Sequence, residues 1–125
     1  MSDRRLQELC EKIYSLNQHI RFAGIITKMG SLVAGGMRPD IESLEDREDS
    51  SKLYVQFALM TEMRKDFDDI FGKAIYSFTE REKIKLASFP LDGNHILRVS
   101  IERKERDHAQ IIQKILDIIE TSILS

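Results

Sequence analysis

The sequence has few of the features that mark a disulfide-bonded, membrane-spanning or nucleic-acid-binding protein. Its 125 residues include one cysteine, Cys10, which excludes an internal disulfide and any zinc site built from paired cysteines. No apolar run approaches the roughly 20 residues of a membrane span. The N-terminal stretch MSDRRLQELCEKIYSL scatters charges among its apolar residues, unlike a signal peptide. We therefore expect a cytoplasmic protein with no membrane insertion.

The charge balance also excludes a class of partner. The 19 basic and 21 acidic side chains give a formal net charge of −2. A general binder of nucleic acids carries a basic excess, so we expect no nucleic-acid partner. The chain is 42% hydrophobic, which is enough for a single core, and its length fits one domain over residues 1–125.

The stretch IITKMGSLVAGG, residues 25–36, raises the question of a phosphate-binding loop. A P-loop needs the spacing GxxxxGK[ST], and Gly30, Gly35 and Gly36 are not followed by a Lys-Ser or Lys-Thr pair. A GxGxxG fingerprint is also absent. We expect Gly30 to take a turn position with positive φ, and the Gly35-Gly36 pair to end or bulge an edge strand.

No catalytic or metal-binding constellation is visible. His19, His95 and His108 fall in separate elements, and none has a second ligand at metal-site spacing. Cys10 lies on an apolar helical stripe, where a cysteine acts as a small hydrophobe. A GxSxG nucleophile motif is absent. We predict no catalytic residues, no cofactor and no bound metal.

Periodicity and turn signals predict the element order α-β-β-α-β-β-β-α. Asp92-Gly93 is the strongest turn signal, and Gly72 is a plausible helix stop. This order indicates an α+β fold with a five-stranded antiparallel sheet and three helices. The predicted elements are a helix over 3–18, the strands IRFAGIIT and SLVAGG, a long helix from about 44 or 50 to Phe71, strands over 74–80, 83–89 and 95–102, and a helix from near Asp107 to Leu124.

This element order, with the hairpin FAGIITKMGSLVAGG, resembles the Roadblock/LC7 family of profilin- and longin-like domains. The chain is also similar to small proteins of ammonia-oxidising archaea that share an IRFAG…KMG.LVAGG core. The Roadblock resemblance implies strand order 2-1-5-4-3, with the first and last helices on one face of the sheet. It further implies a dimer that acts as a scaffold or regulator beside a small Ras-like GTPase.

The middle helix carries more apolar surface than one buried face needs. One stripe contains Leu53, Phe57, Met60, Phe67 and Phe71. A second stripe, offset by roughly 80–100° at 100° per residue, contains Leu59, Met63 and Ile70, and Val55 lies further round on the same side. We interpret the second stripe as a dimer or partner interface. The alternative is that the chain's own loop, residues 37–50, covers it.

These observations favour a non-enzymatic, homodimeric interaction module. The alternative is a small-ligand sensor of profilin- or PAS-like architecture, which would hold its ligand between the sheet and a helix. A cavity between the sheet and the middle helix would favour the sensor, and a two-fold interface on that helix would favour the module.

Overall fold

The computed structural model describes residues 3–124, except for the side chains of residues 123 and 124. The helices are α1 (Asp3–Tyr14), α2 (Arg47–Arg64), the short α3 (Asp68–Phe71) and α4 (His108–Leu124), with a 3-10 turn at Lys65–Phe67 between α2 and α3. The strands are β1 (Ile20–Thr27), β2 (Leu32–Met37), β3 (Ser77–Glu80), β4 (Ile84–Pro90) and β5 (His95–Glu102).

The five strands form one antiparallel sheet in the order β2-β1-β5-β4-β3. This confirms the predicted order, with β1 and β5 in the centre. In the register of the central pair, Gly24 lies opposite Arg98 and Ile25 opposite Leu97. Successive residues point to opposite faces, so both central strands supply side chains to both faces.

The main core lies between the sheet and the pair α1 and α4. Alternate residues of the central strands, such as Ile25, Leu97 and Val99, point into it. The helices contribute stripes at spacings of three and four residues, which is the pattern of a helix with one buried face. Their buried side chains are Leu6, Leu9, Cys10, Ile13, Ile111, Ile112, Ile115 and Ile119.

A smaller core lies on the opposite face, beneath α2. Ile26 and Ile96 from the central strands meet Phe57 and Ala58 of α2, as the prediction of helices on both faces requires. The partly buried residues around this cluster are Leu53, Tyr54 and Leu86. The face under α2 is therefore covered by fewer apolar side chains than the face under α1 and α4.

The first helix is shorter than predicted, because it ends at Tyr14 and not near residue 18. Arg38, which follows β2, accounts for the difference. Its guanidinium donates to the carbonyl of Tyr14 at 2.6 Å and to that of Asn17 at 2.8 Å, and also to the carbonyl of Ile20. The guanidinium also lies over the Tyr14 ring. A cationic side chain thus binds the carbonyls at the helix end and holds α1, β1 and β2 together.

The middle helix is not continuous to Phe71. Its start is set by Asp46, whose carboxylate accepts the backbone N–H of Asp49 at 2.8 Å as an N-cap. At the other end, the Lys65 N–H donates to the carbonyl of Glu62, three residues earlier, and the hydrogen-bond pattern of a 3-10 helix begins. The helical segment still ends at Phe71, directly before Gly72, as predicted.

The third strand begins at Ser77, later than the predicted residue 74. Ser77 lies opposite Ser88 on β4, so Ile75 would lie opposite Pro90 if the ladder continued. Proline has no N–H to donate to a ladder. The pairing therefore stops before residues 73–76 can join the sheet.

We expect Arg38→Met to lower the free energy of unfolding by about 2–3 kcal/mol, the scale of lost charged hydrogen bonds. Urea unfolding followed by circular dichroism measures this. Arg4→Met is the matched control, because Arg4 is exposed and only pairs with Glu8 one turn away, so its loss should cost less than about 0.5 kcal/mol. Equal stability of the two variants would contradict the role of Arg38.

Candidate interaction surface

The glycine-containing hairpin is a turn and not a phosphate cradle. Gly30 has φ +86° in the connection between β1 and β2, as predicted. Its N–H donates to the carbonyl of Thr27, and the N–H groups of Met29 and Ser31 both donate to Thr27 Oγ1. The Lys28 N–H donates to the carbonyl of Asn94 in the turn before β5, so the backbone donors of residues 28–31 all have partners within the protein. The hairpin is followed by the loop before α2, whereas a P-loop runs from a strand directly into a helix.

The glycine pair neither ends nor bulges its strand, which corrects the prediction for Gly35 and Gly36. Both lie within the ladder of β2, an edge strand that continues to Met37. The register shift falls earlier, where Ala34 pairs with Ile25 and Leu32 with Ile26. Val33 is therefore the extra residue at the irregularity.

Gly35 is required by close packing as well as by its φ of +73°. A Cβ at this position would lie 2.1 Å from the carbonyl oxygen of Ala23 and 2.8 Å from Cys10 Sγ. The Gly35 N–H donates to Gln7 Oε1 at 2.9 Å. The glycine thus lets α1 approach the backbone of the edge strand.

The three histidines lie in separate polar contacts. His95 Nδ1 lies 2.9 Å from Asp92 Oδ2 in the turn before β5. His108 stacks on Phe78, with its Nδ1 3.0 Å from Lys85 Nζ. Within residues 3–124, no three or more His, Cys, Asp and Glu side chains form a group that could hold a metal ion.

His19 belongs to a contact between two loops. Its Nδ1 lies 3.2 Å from Glu105 Oε1, which also accepts the side-chain amide of Asn17 at 2.8 Å. Hydrogen bonds from the backbone N–H of Asp107 and from the side chains of His19 and Asn17 lower the pKa of Glu105 to about 2. The carboxylate therefore ties the loop before β1 to the loop before α4.

Cys10 is fully buried between α1 and the sheet. Burial raises the pKa of its thiol to about 12, with the negative charge of Glu11 acting in the same direction. A thiol with this pKa is protonated at neutral pH, whereas nucleophilic cysteines are thiolates. Cys10 is therefore a packing residue.

The outstanding surface feature is an apolar patch that runs along α2 and α3 to the start of β3. Of the thirteen exposed large apolar side chains in the part of the chain that the structure describes, nine lie between residues 55 and 76. We call eight of these the α2–α3 patch: Val55, Leu59, Met60, Met63, Phe67, Ile70, Phe71 and Ile75. The ninth, Tyr76, stacks on Phe89 of the main core. A concentration of this kind is unusual for a surface that faces only water.

The four residues predicted as an interface all belong to the α2–α3 patch. Val55, Leu59, Met63 and Ile70 are between 44% and 72% exposed. The loop at 37–46 leaves them uncovered, and its residues Leu44 and Glu45 instead line a cleft on the inner side of α2.

The other predicted stripe is buried only in its first part. Leu53 and Phe57 face the sheet, but Met60, Phe67 and Phe71 are exposed, which corrects the prediction of one buried stripe as far as Phe71. A cleft of about 360 Å³ lies between the end of α2 with α3 and the β4–β5 turn. Because this cleft separates the end of the helical segment from the sheet, the inner residues of the helical segment have no core to pack into.

Sequence reasoning did not include Ile75 in the surface. It placed this residue in a strand, where alternate residues would be buried. The signal that could have found it is Pro90, because it limits how far β4 can pair with the preceding segment.

The fold is that of a Roadblock/LC7 domain, which confirms the predicted resemblance. Gliding protein MglB from Thermus thermophilus superimposes with a TM-score of 0.73 at 10% identity, over 96% of this chain and 89% of that one. A Roadblock/LC7 domain from Streptomyces avermitilis gives 0.64 at 10% identity over 96% and 98%. An MglB described as having a tetrameric arrangement gives 0.67 at 12% identity over 95% and 90%.

At the level of sequence, the chain belongs to the family of unknown function DUF6659, whose model matches residues 3–120. A comparison with curated proteins finds no match. None of the helices described within residues 3–124 is long and apolar enough to cross a membrane.

We expect Gly35→Ala to destabilise the protein by about 2–5 kcal/mol, because a left-handed backbone costs a side chain about 1–2 kcal/mol and overpacking adds about 1–3. Gly93→Ala is the control, since a Cβ there meets open space, and it should change stability by less than about 0.5 kcal/mol. Denaturant midpoints by circular dichroism test both. A midpoint of Gly35→Ala equal to that of the wild type would refute the close-packing argument.

Proposed function

We propose that this protein is a non-enzymatic, cytoplasmic interaction module that forms a homodimer through the α2–α3 patch. The dimer would present a composite surface to a regulatory protein, and a small Ras-like GTPase is the partner class that the Roadblock resemblance implies. The single observation that carries this proposal is the exposure of the patch on the protomer.

The energetics favour an isologous contact over a permanently exposed patch. Complete burial of a large apolar side chain is worth about 1.5–3 kcal/mol. Leu59, Met63 and Ile70 lie four and seven residues apart on the helical segment, and a two-fold axis would use each of them twice. Association costs roughly 4–15 kcal/mol, so the aromatic residues of the patch, such as Phe67 and Phe71, would need to contribute.

The rim of the patch suits a protein interface. Glu62 and Lys65 form an ion pair of 2.7 Å on the same helical segment, and Arg64 lies beside them. A hydrophobic centre with a charged rim is the usual anatomy of a protein–protein contact. The likeness to an MglB that forms a tetrameric arrangement further supports self-association.

Met63→Asp should split the dimer without unfolding the protomer. The side chain is exposed on the protomer, so the aspartate would be hydrated there but would be buried without a partner in the dimer. We expect the dimer dissociation constant to rise at least about 100-fold, which corresponds to about 2.7 kcal/mol. Light scattering after size exclusion gives the mass, and circular dichroism reports folding.

Gln110→Asp is the control for added charge, because Gln110 is exposed in α4, away from the patch. It should leave the dimer intact. A wild-type monomer at tens of micromolar would contradict the proposal. Unfolding of the Met63→Asp variant would also contradict the proposal, since that outcome would make Met63 a core residue.

The purified protein should turn over GTP and ATP only at background rates. Among the described residues, the side-chain contacts of the three histidines are with carboxylates, a lysine and an aromatic ring and not with a serine or cysteine nucleophile, and the one cysteine is a buried thiol. A phosphate-release assay is the measurement, and turnover abolished by a substitution at His19, His95 or Cys10 would contradict it.

A pull-down from the source organism tests the partner. The proposal of a small GTPase partner is refuted if the wild type captures no more Ras-like protein than Met63→Asp does.

A further inference from the structure

A second cleft lies on the inner side of α2, between that helix and the sheet. Its volume is about 300 Å³, at the lower end of the range for small-molecule sites. Phe22, Leu86 and Ser100 form its wall on the sheet, and Leu53 and Gln56 form its wall on α2. Such a space between sheet and helix is what a ligand-binding sensor of this architecture would need.

Arg98, in the centre of β5, lines this cleft from below. It is only 3% exposed, although it lies on a strand that is otherwise largely apolar. Three aromatic rings surround its guanidinium carbon, at 4.4 Å for Phe57, 5.0 Å for Tyr54 and 5.1 Å for Phe22. These cation–π contacts stabilise the charge through the ring faces.

The rings do not satisfy the donors of the guanidinium. Its five N–H groups lie in one plane and need acceptors, yet the buried Nε has no hydrogen-bond partner. None of the ion pairs among the described residues includes Arg98. Glu45 lines the same cleft, but its Oε1 accepts from Ser50 Oγ at 3.2 Å.

The charge of Arg98 persists at neutral pH. Burial lowers the pKa of the guanidinium to about 10, and the nearby Tyr54 phenol and Glu45 carboxylate act in the opposite direction. A buried cation that forms no ion pair is costly. The cost would fall if an anion entered the cleft and accepted the N–H donors.

The other charged residues make the cleft a positive one. Arg21 and Arg81 line it together with Arg98, against the single carboxylate of Glu45, so the lining carries a formal charge of +2 on a chain of net charge −2. Arg21 repeats the pattern of Arg98, because its buried Nε lacks a partner while its Nη2 donates to the carbonyl of Glu42 at 2.8 Å.

We propose that the cleft between α2 and the sheet binds a small organic anion, whose carboxylate or phosphate pairs with Arg98 and Arg21. The apolar part of the ligand would lie against Phe22, Leu53 and Leu86. Arg81 would attract the anion at the opening, and Ser100 and Gln56 would supply further hydrogen bonds. This binding site is separate from the α2–α3 patch, so it stands or falls independently of the proposed dimer.

The test uses benzoate and phenyl phosphate as anionic probes and benzyl alcohol as their neutral analogue, in titrations by calorimetry of the full chain. We expect saturable binding of at least one anion with a dissociation constant below about 10 mM and no comparable binding of benzyl alcohol. Arg98→Met should weaken the anion at least about tenfold, since it removes the charged donors but keeps the bulk.

Arg106→Gln is the matched control, because Arg106 is exposed and does not line the cleft. It should bind the anion as the wild type does. The proposal is overturned if neither anion binds, if benzyl alcohol binds equally well, or if Arg98→Met binds like the wild type. An equal loss in Arg106→Gln would also overturn it, since that would indicate diffuse electrostatic attraction.

We expect Arg98→Met to fold, because the substitution removes the cost of burying a cation and keeps an apolar chain against the three aromatic rings. Should it not fold, the wild type still decides the question. The Nε–Hε resonance of Arg98 in nitrogen-15 spectra should shift on addition of the anion and saturate with the calorimetric constant. An unchanged resonance in the presence of bound anion would overturn the proposal.

Discussion

The packing of two central strands that are buried on both faces governs the rest of this structure. β1 and β5 pair in the middle of the sheet, and their alternate residues point to opposite sides. Each face must therefore be covered by a helix. α1 and α4 together supply eight buried side chains to one face, whereas α2 alone serves the other with Phe57, Ala58 and Thr61.

Because α2 covers its face of the sheet only in part, two of its sides are accessible. Its outer side continues into α3 as the α2–α3 patch, and its inner side forms a wall of the cleft above Arg98. One helix thus separates a surface suited to another protein from a space suited to a small anion. The helix contacts the sheet through a small cluster around Ile26 and Ile96, which leaves room for both features.

The element order and sheet topology could be predicted because the local signals agreed with one another. The apolar periods of α1 and α4 predicted both helices, and the Asp92-Gly93 turn and the helix stop before Gly72 correspond to structural boundaries. The boundaries that failed depend on distant residues. The end of α1 depends on Arg38, and the start of β3 depends on Pro90, neither of which lies near the boundary in sequence.

The amino-acid sequence by itself determined the class of fold, the exclusion of known phosphate-loop and nucleophile motifs, and the excess of apolar residues on the middle helix. These are properties of composition and local period, which a single chain displays directly. Only the tertiary structure decided that the stripe of Met60, Phe67 and Phe71 is exposed, and that Arg98 lies beneath three aromatic rings with no acceptor for its buried Nε. Burial and hydrogen-bond satisfaction depend on which segments meet in space. The environment of Arg98 within HILRVSIE is therefore defined only when α2 packs over it.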